Sequence, residues 1–133
     1  MFTLYTPQTA NNALPEVKRM FANIVAQKNQ VIALQERLQM VIESGAYFEQ
    51  FIKIKQDLNS AVTNLYKSIE QLENMGVMIK SVDEGLLDFP SKRFNDEVWL
   101  CWKAGEDQIK FWHGKDEGFM GRKPLETTGV IEP

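Results

Sequence analysis

Residues 97–124 read EVWLCWKAGEDQIKFWHGKDEGFMGRKP. How this stretch pairs with itself decides which side chains share a face of the fold. It holds all three tryptophans, the one cysteine and the one histidine of the chain. Apolar and polar residues alternate through 97–103 and again through 108–113, the period of half-buried strands. A turn centred on Gly105 and Glu106 pairs Trp102 with Ile109, Leu100 with Phe111 and Val98 with His113. An earlier two-residue turn at Asn95 and Asp96 sets Phe89 opposite Trp102. One face of the sheet is then expected to carry Leu87, Phe89, Val98, Leu100, Trp102, Ile109, Phe111 and His113, and to pack on helices. The other carries Asp88, Trp99, Cys101, Lys103, Lys110 and Trp112, with Trp99 and Trp112 as a cross-strand aromatic pair. A slip of one residue exchanges these sets.

Upstream, residues 77–82 and 86–94 complete a four-stranded antiparallel meander over 77–113. Asp83, Glu84 and Gly85 form the first turn, and Pro90 marks an edge or a bulge. Before Gly76 the period changes to that of a helix. Val17, Met20, Ile24, Gln27, Val31, Leu34, Leu38 and Val41 form one heptad seam. Phe48, Phe51, Lys55, Leu58, Val62, Leu65, Ile69 and Leu72 form a second. Gly45 and Gly76 stop the two helices. The short connection makes them an antiparallel hairpin, with Leu38 facing Phe51, Val31 facing Leu58 and Ile24 facing Tyr66. Thr6-Pro7 starts a short helix that ends before Pro15, and Pro15 opens the long one. Residues 2–5 alternate weakly, as a short strand would. The apolar arc of the hairpin is too wide for one partner, so a homodimer through the hairpin is expected. Residues 114–133 read as loop and tail. The loop at 118–123 is placed to fold back over the tryptophan pair, and a frayed tail follows from Thr127.

The expected fold class is therefore α+β: a long antiparallel helical hairpin packed on a small four-stranded β-meander. The 133 residues form one domain, with the hairpin and a short N-terminal element in 1–76, the meander in 77–113 and the loop and tail in 114–133. Net charge is −3. Residues 1–76 balance seven basic against seven acidic side chains, and the remainder sets eight against eleven. That acidity argues against a nucleic-acid partner. No apolar run is long enough to span a membrane, the N-terminus lacks a signal-peptide pattern, and one cysteine makes no internal disulfide. A cytoplasmic location is expected.

The segments FTLYTPQTANNALPEVKRM, GVMIKSVDEGLLDFP, EVWLCWKAGE and IKFWHGKDEGFMGRKPL, set around a helical hairpin, resemble the uncharacterised bacterial and archaeal family called domain of unknown function 2203. The most specific parts are Gly85 to Pro90, Leu100-Cys101-Trp102 with Gly105-Glu106, and Trp112-His113 followed by Gly118 to Arg122. The resemblance runs from Phe2 to Leu125. It implies a fold and assigns no activity, so no catalytic residue follows from it.

Chemistry is weighed residue by residue. His113 is the side chain that titrates near neutrality, as a base or a ligand; the plainer alternative is that it ends the last strand and satisfies a backbone carbonyl or a carboxylate from Asp116 or Glu117. The predicted register sets Cys101 and His113 on opposite faces, so a joint Cys/His metal site is not expected. A carboxylate set of His113, Asp116 and Glu117 is the weaker metal option, with no known spacing. Cys101 reads as packing in a strand interior. Gly118 and Gly121 let a backbone approach a ligand, and Arg122 with Lys123 supplies charge for an anion; the plainer alternative is a tight loop whose Arg122 pairs with Asp88 or another carboxylate. Trp99 and Trp112 are candidates for stacking a base. No cofactor or reaction is assigned. The expected role is a self-associating interaction or scaffold module with a possible protein partner. The alternative is a small-molecule or anion-binding protein, enzymes included, using Asp88, His113, Arg122 and the glycine loop.

Overall fold

The computed structural model describes residues 4–45 and 47–125. Helix α1 spans Pro7–Ser44 and α2 spans Phe48–Asn74. Five strands follow: β1 Met78–Ser81, β2 Leu86–Arg93, β3 Asp96–Lys103, β4 Phe111–Gly114 and β5 Lys123–Pro124. A short 3-10 turn at Phe119–Gly121 precedes β5. The sheet is antiparallel in the order β1-β2-β3-β4-β5. The α+β class, the hairpin and the meander are as expected. The fifth strand is additional: the loop after the 3-10 turn returns to pair Phe111 with Pro124 and Trp112 with Lys123.

The chain divides into two compact units, one of Met1–Arg19 with Leu72–Pro133 and one of Met20–Gln71. In the first, the opening turns of α1 bury Ala10, Leu14 and Val17, and one sheet face buries Leu87, Phe89, Leu100 and Trp102. Tyr5 meets Phe89 edge to face, with ring centres 5.2 Å apart, and Lys18 stands over the Trp102 ring. Backbone polar groups buried here need partners. Tyr5 N–H donates to the Pro90 carbonyl (2.8 Å), Ser91 Oγ donates to the Tyr5 carbonyl (2.5 Å), and the Tyr5 hydroxyl donates to the Met75 carbonyl (2.5 Å). Pro90 lies within β2 beyond the last residue of β1 that pairs with it. A missing N–H is tolerated where the ladder has ended. Of the short strand expected at residues 2–5, residues 2 and 3 lie outside the described residues, and Leu4 and Tyr5 are not in a strand. The tail from Thr127 also lies outside them.

Pro15 does not open a new helix. It sits inside α1, which runs unbroken from Pro7. Proline in a helix interior removes one hydrogen bond and costs about 3 kcal/mol. Ala10, Leu14, Val17, Phe21 and Ile24 recur at helical spacing on both sides of it and are all buried. Burying an unbroken stripe outweighs the local penalty.

In the second unit Ile24 and Val31 are buried on α1, while on α2 the buried positions are Ile54 and Ala61. The α2 seam is therefore rotated from the predicted one. Lys55 is exposed, its ammonium 5.7 Å from the Phe51 ring centre, and Phe48 is 75% exposed. Tyr66 is 66% exposed and does not bury Ile24. Adjacent apolar positions left two seams open on α2, and packing selects the one that keeps the Lys55 charge in water. Gly45 and Gly76 take φ of +66° and +88° at the helix ends, as glycine at C′ does.

Candidate functional site

The β2–β3 turn falls one residue earlier than predicted, on Phe94 and Asn95, with Arg93 paired to Asp96. Phe94 takes the left-handed φ of +57° that such a two-residue turn requires. This moves the register by two residues, which keeps both faces: Phe89 pairs with Leu100 and Leu87 with Trp102. The β3–β4 pairing differs by one residue, and that changes β4. Val98 pairs with Gly114, Trp99 with His113, Leu100 with Trp112 and Cys101 with Phe111.

The cause lies in the connection. Ile109 is held off the ladder by Asn11, whose side-chain oxygen accepts from Ile109 N–H (2.6 Å) and whose amide nitrogen donates to the Ile109 carbonyl (3.2 Å). Glu106 Oε1 accepts from Lys103 N–H (2.8 Å), so a side chain takes the place of a strand partner. The strand starts at Phe111 instead of Gln108, and its side chains reverse. His113 and Phe111 join Asp88, Trp99 and Cys101. Trp112 joins Leu100 on the helix-packed face, so the predicted Trp99–Trp112 pair does not form. The Trp112 ring instead meets Arg93 at 4.6 Å and Lys123 at 4.8 Å.

The reversal corrects the expectation that Cys101 and His113 lie apart. Asp88 on β2, Cys101 on β3 and His113 on β4 stand side by side on one face. Their ligating atoms all lie within 4.8 Å of one another, and the residues are 1%, 1% and 2% exposed. His113 Nε2 is 3.1 Å from Asp88 Oδ2. His113 Nδ1 lies 3.0 Å from the Gly114 carbonyl, which can only accept, so Nδ1 carries a proton and Nε2 faces Asp88. One further proton is then shared between Nε2 and the carboxyl, and the pair is neutral overall. The Cys101 thiol also hydrogen-bonds Asp88.

Residues 3–125 match the family described as "Uncharacterized conserved protein (DUF2203)". The chain belongs to this family. No curated protein and no solved structure matches it. The DUF2203 chain has no helix, among the described residues, long and apolar enough to cross a membrane.

Electrostatics around the cluster follow from burial. Loss of water pushes the Asp88 carboxyl up, opposed by the His113 charge and hydrogen bond and by Lys80. Burial, with the neighbouring Asp88 charge, pushes the Cys101 thiol up to about 11, while Arg122 pulls the other way. The thiol is thus protonated and unreactive at neutral pH. A raised folded-state pKa favours folding fully below the unfolded value and loses that contribution as pH rises through about 11. Between pH 8 and pH 11 the metal-free protein should lose about 2 kcal/mol more stability than its Cys101→Ala variant, measured by urea unfolding. Burial raises Tyr5 too, so the difference between the two proteins isolates the thiol.

The remaining predicted residues separate. Arg122 does not pair with Asp88. It donates to Glu106 Oε1 (2.7 Å) and the Cys101 carbonyl (3.2 Å), with its guanidinium 4.0 Å from the Phe111 ring centre and 4.6 Å from that of Phe119. The glycine loop therefore covers Phe111 and Cys101, not a tryptophan pair. Glu117 and Asp116 are exposed, and Glu117 Oε1 accepts from Gly114 N–H and Lys123 Nζ. The set of His113, Asp116 and Glu117 does not converge. Gly121 is required by space, since a Cβ there would meet Glu117 Cβ at 2.9 Å, while Gly118 stands in the open. The residue missed from sequence is Cys101, whose alternation with Asp88 was already visible.

Proposed function

We propose that this protein binds one transition-metal dication, zinc foremost, through Asp88 Oδ, Cys101 Sγ and His113 Nε2. The observation carrying this is the convergence of three buried ligand types from adjacent strands. Ligand atoms around a tetrahedral zinc ion sit about 3.3–3.7 Å apart, so a modest contraction of side chains completes the set. Thiolate, carboxylate and neutral imidazole sum to two negative charges, which cancel a dication in a dry site. The Gly114 carbonyl fixes the histidine tautomer that leaves Nε2 for the metal. Three protein ligands leave a fourth position for water or a small anion.

Binding expels two protons, one from the thiol and one from the Asp88–His113 pair. Calorimetric titration of zinc into EDTA-treated protein, in buffers of different ionisation enthalpy, should give one site, a Kd below about 1 μM and about two protons released near pH 7. Cys101→Ser should weaken this by 100-fold or more, as expected when a thiolate is lost. A wild-type protein that takes up no zinc at tens of micromolar, or takes it up equally without Cys101, would refute the proposal.

A second reading concerns the helical hairpin and is favoured by one observation. Ile32, Met40, Ile42, Tyr47, Phe48 and Tyr66 are all more than 40% exposed in the Met20–Gln71 unit. Several exposed large apolar side chains on one unit support an interaction site there. We infer that a second copy of the chain covers it, making the hairpin a self-associating module in a cytoplasmic protein. A monomer in sedimentation runs at micromolar concentration would sink this reading.

A further inference from the structure

Arg122 is placed against one of the three candidate ligands. It immediately precedes β5, and its side chain is largely buried. Its Nη2 donates to Glu106 Oε1 (2.7 Å) and to the Cys101 carbonyl (3.2 Å). Glu106 is itself tied to β3, since the same oxygen accepts from Lys103 N–H (2.8 Å). The guanidinium also meets the ring of Phe111, the strand partner of Cys101, and the ring of Phe119. It acts on the Cys101 thiol through both charge and hydrogen bonding. Its Nε is buried and has no hydrogen-bond partner among the described residues. A guanidinium cannot shed a proton, and a buried donor without an acceptor is unfavourable. A thiol is only a weak acceptor, so the metal-free cluster leaves this donor group poorly satisfied.

We propose that Arg122 is a positioning residue for the metal centre, donating an N–H to the Cys101 sulfur when that sulfur is bound to the ion; this rests on the zinc reading above. A metal-bound thiolate carries far more negative charge than a thiol. Hydrogen bonds to ionised acceptors are roughly twice as strong as neutral ones. The bond is therefore stronger in the loaded protein, and the difference appears as metal affinity. Glu106 balances the charge of Arg122, so the incoming dication meets a donor without meeting a net cation. Glu106 and the two rings hold the planar fork in place before the ion arrives, which removes an ordering cost from binding.

The test titrates the full chain with cobalt(II) chloride. A cobalt–thiolate bond gives a charge-transfer band in the near ultraviolet, and a hydrogen bond to the sulfur raises its energy. The wild type should show the band. Arg122→Gln should move it to longer wavelength and weaken cobalt binding by about 10- to 100-fold. Arg122→Lys keeps the Glu106 ion pair and so the fold, and its band and affinity should lie between the two. Glu106→Gln loosens the same loop but keeps the donor, and should not move the band to longer wavelength. A band at the wild-type position in each folded Arg122 variant overturns the proposal. So does a shift to longer wavelength in Glu106→Gln as large as that in Arg122→Gln, because Arg122 then only holds the loop. Both results leave the zinc reading standing. A wild type that binds cobalt without the band, or binds none, removes the zinc reading and this inference together.

Discussion

Replacing His113 with alanine is expected to cost about 3–5 kcal/mol of stability in the metal-free protein, the range for removing one partner of a buried ion pair. Asp88 is then left at 1% exposure with the Cys101 thiol as its side-chain hydrogen-bond partner. It must take up a proton or remain charged without water. Because burial already raises the Asp88 carboxyl, the loss should deepen as pH rises from about 5 to 8, where the unfolded chain ionises freely and the folded one resists. Adding Asp88→Asn to His113→Ala should flatten that slope, since the buried charge is gone. Urea midpoints at the two pH values measure both effects. A loss under about 1 kcal/mol, equal at both pH values, would mean that the pair is not a buried charge partnership. Under the zinc proposal the single variant should also lose zinc-dependent stabilisation, expected to be about 4 kcal/mol in the wild type at a thousandfold excess over Kd.

The second large effect lies on the opposite face. Phe89 is fully buried and meets Tyr5 edge to face. Phe89→Ala should cost about 3–5 kcal/mol, through lost transfer energy and the cavity left behind. Domain stability totals only about 5–15 kcal/mol, so this variant stands close to unfolding at room temperature. Phe89→Leu keeps most of the volume and should cost less than half as much. Thermal unfolding followed by aromatic circular dichroism ranks the two. A Phe89→Leu midpoint equal to that of the wild type would show that the ring contact with Tyr5 contributes nothing beyond bulk.

The two sites were legible to different degrees. The helical hairpin follows from apolar periodicity and from glycines at its ends, all of which are local signals. The face shared by Leu87, Phe89, Leu100 and Trp102 also follows from alternation, because the one-residue error at the Phe94-Asn95 turn shifts the register by two and leaves the faces intact. The cluster was not legible, because the decisive partner is distant. Asn11, 98 residues away in sequence, takes both backbone groups of Ile109 and withdraws it from the ladder. No pattern within 97–124 reports that exchange. Pro15 misled for a related reason: its local preference is overridden by a buried stripe that continues past it.

The three hydrogen bonds of Tyr5 have a consequence for the order in which the molecule is made. Their partners, Met75, Pro90 and Ser91, lie 70 or more residues downstream. A growing chain releases Tyr5 before α1 and α2, yet those partners emerge only after both helices have left the ribosome. Helices rest on neighbours in sequence and form early, whereas closures across such spans are slow. Tyr5 is therefore synthesised ahead of both helices and fastened after them, and a protease that cuts between Tyr5 and α1 before β2 is complete would leave the sheet without this tether.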